Sequence, residues 1–255
     1  MADFVRVARE GACAWVTLDR PPLNLIVPEM VEGIRSTFES LRRDPGVRAA
    51  VITGAGRATT AGMQLQVLRE LTPAGAKAFI ASLHEAIALV HDAPFPTVCM
   101  VNGACLGAGF ELAMACDLRT AATEAVLGLP EIRVGIPSVI EAALLPGFVG
   151  PGRAAEILLT GESVTARQAL DWGLVNRVTP AAELRAVTAE LVGRILDCAP
   201  TAVRLQKELI VRWRNTDQRT AVEYGVNAFA QSFVTGEPRE AMDAYLGKRK
   251  PRFAP

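Results

Sequence analysis

The stretch "PTVCMVNGACLGAGFELAMACDLRTAA", residues 96–122, compresses a strand, a Gly-rich turn, a helix and a second strand into little space, and it marks an α/β chain. Gly103, Ala104, Gly107, Ala108 and Gly109 lead straight into the helical part, and residues this small permit close strand–helix packing. A helix start also offers unpaired N–H groups and the positive end of a dipole, which suit negative charge on an oxygen. Glu111 falls in that first turn, where an acid serves equally as a dipole partner or as a catalytic group. On this stretch alone both readings stand.

Working upstream, "RAAVITG" (48–54) reads as a buried strand running into "GAGRATTAG" (54–62). A dinucleotide-binding loop fits poorly there, because the spacing is not GxGxxG and no acid ends a second strand to hold a ribose. The continuation "TAGMQL" (60–65) contains no acid, base or nucleophile, although it sits at a strand mouth. Downstream, "LGLPEIRVGIP" (127–137) places Glu131 behind Pro130 in a short turn, a position where an isolated Glu is ordinarily solvated. Two loops with backbone donors and two carboxylates behind Gly-rich or Pro-bearing turns form a constellation that calls for testing.

Period-two alternation in "FVRVARE" and "ACAWVTLDR" about Gly11 predicts a hairpin. Met30, Val31, Ile34, Phe38 and Leu41 make a helical stripe over 28–43, and Thr72 with Pro73 begins a long helix that ends near Pro94. The later chain is helical by pattern over 152–159, 166–172, 181–198, 201–214, 220–233 and 239–248. The expected division is a strand–helix core over 1–195 and a helical region over 196–255.

A chain of 255 residues that is 50% hydrophobic can bury a sizeable core. Lys+Arg and Asp+Glu balance at 27 each, so no charge surplus points to nucleic acid, an anionic membrane or a basic partner. Residues 1–10 lack the basic and apolar segments of a leader, and apolar runs are broken well short of a bilayer span, so a soluble, intracellular, cytoplasmic chain is expected. Cys13, Cys99, Cys105, Cys116 and Cys198 lack CxxC spacing and read as buried, reduced thiols. His84 and His91, seven apart on a helix, share a face about two turns apart and read as solvated or core residues, with no metal site implied.

Taken together, "ITGAGRATTAGMQL" (52–65), "NGACLGAGFELAMACDLRTA" (102–121), "LGLPEIRVGIP" (127–137), "LLTGESVTARQALDWGLVNRV" (158–178) and "AYLGKRKPRF" (244–253) resemble the enoyl-CoA hydratase/isomerase (crotonase) superfamily, in the family's order and over nearly the whole chain. The resemblance implies an α/β superhelix of ββα units with a helical C-terminal trimerisation region, assembled as trimers or dimers of trimers. It implies an acyl-CoA thioester substrate, with coenzyme A as part of that substrate and no separate cofactor. By motif, the backbone N–H groups of Met63 and Ala108 would form an oxyanion hole, which explains why "TAGMQL" needs no reactive side chain. Glu111 and Glu131 match the acid–base pair of the hydratases, Glu131 as proton donor to C2 and Glu111 as the group that holds and activates water. Ala61, Gln64, Leu65, Gln66, Lys248 and Lys250 fall where substrate and CoA would bind.

Three departures bear on this. "AGMQ" stands where "AGAD" is common, Ala108 stands where Gly is usual, and "GIPSVIEAALLPGFVG" (135–150) replaces a Gly-rich, Thr-Gln-bearing stretch that helps to shape the acyl pocket. The implied activity is hydration of a 2-enoyl-CoA. An isomerase, a lyase, a thioester hydrolase and a non-catalytic CoA-fold scaffold are the alternatives that one scaffold leaves open.

Overall fold

The computed structural model describes residues 4–253, so the outermost residues of both expected regions lie outside it. A hairpin opens the chain, with β1 (Val5–Glu10) and β2 (Cys13–Leu18) antiparallel and Glu10 opposite Cys13. α1 (Pro28–Arg43) buries Met30, Val31, Ile34, Phe38 and Leu41, the stripe expected from the spacing. Then come β3 (Ala49–Gly54), β4 (Ala58–Thr60), α2 (Leu65–Arg69) and α3 (Pro73–His91). Thr72 caps α3 by accepting the Gly75 N–H at 3.2 Å.

The quoted stretch folds as β5 (Thr97–Val101), β6 (Ala104–Leu106), α4 (Ala108–Ala115) and β7 (Leu118–Ala122). β8 (Val126–Gly128) leads into two 3₁₀ turns, Pro130–Val134 and Glu141–Leu144. After these the chain forms α5 (Leu145–Val149), α6 (Pro151–Thr160), β9 (Ser163–Thr165), α7 (Ala166–Asp171), β10 (Arg177–Thr179) and α8 (Ala181–Leu196). α9 (Pro200–Trp213), α10 (Gln218–Ser232) and α11 (Glu237–Leu246) complete it.

Two sheets result, one in the order β1-β2-β3-β5-β7-β10 and one in the order β4-β6-β8-β9. Apart from the opening hairpin the large sheet is parallel, and β3 is buried along its whole length, as a strand covered on both faces must be. Each repeat sends one strand into the large sheet, the next into the small sheet, and then a helix: β3, β4 and α2–α3; β5, β6 and α4; β7, β8 and the turns leading to α5. This is the expected superhelix of ββα units. Because β4, β6 and β8 lie parallel, with a register shift between Ala58 and Thr60 that still puts Thr60 beside Cys105, and with Leu106 beside Gly128, their C-terminal ends share one edge. The residues after them, Met63, Ala108 and Glu131, therefore converge although they are far apart in sequence.

The short turn expected around Glu131 is a 3₁₀ helix, which Pro130 starts and Gly135 closes in a left-handed conformation. One reading needs correction: four cysteines are buried, but Cys198 is exposed, since it occupies the turn between α8 and α9 outside the core. α9 is tied to the core by Lys207, whose ammonium donates to Asp117 at 2.6 Å and to the His91 carbonyl at 2.7 Å in a buried ion pair. Among the described residues no helix is long and apolar enough to cross a membrane.

Candidate active site

Two glycines set the backbone geometry where β4 and β6 end. Gly62 has φ +90° and Gly107 has φ +55°, values at which a side chain would be strained. Their backbones are pressed together: a Cβ built on Gly62 would stand 3.0 Å from the Leu106 carbonyl, and one on Gly107 would stand 3.8 Å from the Gly62 Cα. Ile26 pairs with this loop on one side only. Its N–H donates to the Gly62 carbonyl at 2.9 Å and its carbonyl accepts from Gln64 at 3.0 Å, which skips the N–H of Met63 between them. The Ala108 N–H is the first of α4 and has no acceptor inside the helix. Among the described residues neither N–H has a hydrogen-bond acceptor.

Close to these donors lies a cavity of about 460 Å³, lined by Met63, Leu68 and Leu71, by Phe79 and Ile80 of α3, and by Ile136, Pro137, Ser138 and Val139. Glu111 and Glu131 both reach it. A predominantly apolar cleft with a few convergent polar groups suits a small-molecule acyl chain.

Glu111 is 2% exposed. Its Oε1 accepts the Ala142 N–H at 3.0 Å. Burial raises its carboxyl to about 7, and the neighbouring charges of Glu131 and Glu141 push the same way against that hydrogen bond. Glu131 is held differently: Ser138 Oγ donates to its Oε2 at 2.8 Å, while Oε1 rests over Gly107.

Of the remaining expected residues, Ala61 donates its N–H to the Leu23 carbonyl at 3.0 Å, and Leu65 and Gln66 begin α2 on the exposed surface. Gln64 does not cap α2. Its Oε1 accepts from the Arg20 guanidinium at 2.6 Å, which fixes the loop after Met63 to the end of the opening hairpin. Lys248 and Lys250 are exposed beyond α11 and do not line this cavity.

Three residues outside the expected site, one of them the His84 read as solvated or core, sit close behind it. Ser138 orients Glu131, and Glu141, 7% exposed, precedes the residue whose N–H holds Glu111. His84 contacts Glu141, Nδ1 to Oε1 at 2.7 Å. The one local signal was a lone acid inside the apolar run "VIEAALL"; its partner lies 57 residues away.

With this geometry in place, the comparison with known proteins is decisive. The family model described as enoyl-CoA hydratase/isomerase matches residues 8–255. The chain belongs to the enoyl-CoA hydratase/isomerase family.

Within this family it is 34% identical over 254 residues to a protein from Syntrophomonas wolfei named crotonyl-CoA hydratase, covering 98% of each chain. It is 32% identical over 249 residues to a Clostridium acetobutylicum protein named short-chain-enoyl-CoA hydratase, covering 96% of this chain and 95% of the other. The crystal structure of an enoyl-CoA hydratase from Bacillus anthracis superposes with a TM-score of 0.95 at 28% identity, over 98% of both chains. The crotonase-type fold is therefore established for the whole described chain. Against that family background, the segment 135–150 supplies four cavity residues of its own, Ile136 to Val139, together with the hydrogen bonds to both glutamates.

Proposed function

We propose that the protein is an enoyl-CoA hydratase that adds water across the 2,3 double bond of a 2-enoyl-CoA thioester. The observation that carries this reading is one apolar cavity lined by Met63, Glu111 and Glu131, with the Ala108 N–H starting the helix that carries Glu111 and neither the Met63 nor the Ala108 N–H having an acceptor among the described residues, in a chain of this family.

The chemistry follows from the parts. A thioester oxygen seated between the Met63 and Ala108 N–H groups draws electron density away from C3. Preorganised donors of this kind are worth roughly 3–4 kcal/mol each when removed. Water is held between the carboxylates. Glu111 takes one of its protons, the oxygen bonds to C3, the π pair shifts toward C2 and the thioester oxygen, and Glu131 delivers a proton to C2. One water is consumed, and the proton taken by Glu111 restores the single proton of the pair. A carboxylate raised to about 7 is a stronger base toward water than an ordinary one, so the burial of Glu111 serves its role. The Glu131 charge at the same cavity is one of the causes that raise Glu111.

Lys248 and Lys250 are the proposed contacts to CoA phosphates, with Ala61, Gln64, Leu65 and Gln66 along the route of the substrate. The exposed apolar residues Val222, Val226 and Phe229 on α10 support a homo-oligomer, a trimer or a dimer of trimers, whose interface lies in the helical region 196–255. The free thiols support an intracellular, cytoplasmic setting. The test is a panel of 2-enoyl-CoA thioesters of increasing chain length, followed by loss of the conjugated enone absorbance. Turnover on short or medium chains is expected, and no hydration of any member overturns the reading.

A further inference from the structure

The segment 135–150, where this chain departs from the familiar pattern, contains a buried group that the hydration steps do not use. Glu141 opens the 3₁₀ turn Glu141–Leu144 and is almost wholly enclosed. One oxygen meets His84 Nδ1 at 2.7 Å; the other, Oε2, is buried with no hydrogen-bond partner among the described residues. A carboxylate with one unsatisfied oxygen is costly to bury. The cost falls on the residue whose neighbour, Ala142, donates its N–H to Glu111 at 3.0 Å. His84 lies one turn beyond Ile80 on α3, the helix that supplies a wall of the cavity, and its side chain is 55% exposed. The pair therefore bolts that wall to the turn that grips Glu111.

We propose that His84 and Glu141 form a positioning pair for Glu111: His84 anchors the turn through the Glu141 carboxylate, so that the Ala142 N–H is held against Glu111, and Glu141 places a negative charge beside it. This rests on the assignment of Glu111 to the hydratase site. His84 and Glu141 act through Glu111 and touch no reacting atom.

The titratable surroundings are few. Glu111 faces Glu131 and Glu141; Glu141 faces His84 and Glu111; Lys77 of α3 also borders the cavity; and Glu85, next to His84, is engaged by Arg35. Removing the charge at 141 leaves Glu111 with one repelling neighbour fewer, so it should give up its proton at lower pH. Removing the ring at 84 loosens the turn instead.

The experiment combines infrared titration of the Glu111 carboxyl, assigned by its loss in Glu111→Gln, with hydration kinetics across pH. In Glu141→Gln the Glu111 titration and the acid limb of kcat/KM should both move to lower pH. In His84→Ala kcat should fall about tenfold with KM little changed, and His84→Gln, which still donates to Glu141, should restore it. If Glu141→Gln does not fold, the exposed position of His84 allows its two variants to decide. An unmoved Glu111 titration in Glu141→Gln, or wild-type kcat in His84→Ala, overturns the proposal. A shifted Glu111 titration in a protein that hydrates no enoyl-CoA supports the pair and overturns the hydratase reading instead.

Discussion

Gly107 lies directly beneath Glu131: a Cβ on the glycine would stand 2.6 Å from the Oε1 of the glutamate. The residue that turns the chain into α4 thus also leaves the space that the acid occupies. Gly107→Ala should displace the carboxylate and strain a backbone at φ +55°. A fall in kcat of at least about tenfold is expected, because misplacing a reacting group by an ångström is costly. Steady-state kinetics on a folded variant checks this, and unchanged kcat would remove Gly107 from the account.

Glu131→Gln keeps the size of the side chain and an acceptor for Ser138 but cannot deliver a proton. Turnover should drop by at least about a hundredfold, the lower end for loss of a general acid–base group. Wild-type hydration rates in this variant would show that Glu131 is not the proton donor.

The pH dependence of stability has a definite sign. The Glu111 carboxyl is raised from 4.5 to about 7 in the folded chain, so the folded state holds this proton longer than the unfolded state does. The contribution is fully favourable below about pH 4.5, is lost as pH rises toward 7, and levels off above it, a change of about 3 kcal/mol. Glu111→Gln should therefore gain stability relative to wild type between pH 4 and pH 8, by about 2–3 kcal/mol. Urea melts of both proteins at the two pH values measure it, and a stability difference that does not change with pH contradicts it. The same titration should appear as an acid limb in kcat/KM, with hydration falling as Glu111 becomes protonated below about 7.

At Met63 the backbone and the side chain can be separated. Met63→Ala retains the N–H and should retain catalysis on a short acyl chain while altering chain-length preference, since the side chain lines the cavity. Met63→Pro removes the N–H and should abolish turnover, provided the variant is shown to fold. Catalysis that survives in a folded Pro variant would exclude this amide from the oxyanion hole.

How much of this could be read beforehand depended on the range of the interaction involved. The stripe from Met30 to Leu41 and the Thr72 cap are local, and both were legible from spacing and residue type. Strands such as Ala58–Thr60, Val126–Gly128 and Ser163–Thr165 are too short to show a period, and their pairing is set by neighbours elsewhere in the superhelix. The two glutamates and the two N–H positions were legible only as parts of family motifs, since nothing local distinguishes Glu131 from a solvated loop acid. His84 presented itself only as a helical histidine, because its partner Glu141 reaches it through tertiary packing. Gln64, which stands where the resembled family commonly has an Asp, engages Arg20 across 44 residues.

The most direct test of the central claim, that two amides and two glutamates here add water to a thioester-conjugated double bond, is incubation with crotonyl-CoA in ¹⁸O-labelled water followed by mass spectrometry of the intact and cleaved product. The account predicts one ¹⁸O at C3 of a 3-hydroxyacyl-CoA whose thioester is intact, with incorporation suppressed in Glu111→Gln and Glu131→Gln. Label in a released carboxylate, a shifted double bond without label, or wild-type incorporation in both variants would contradict it.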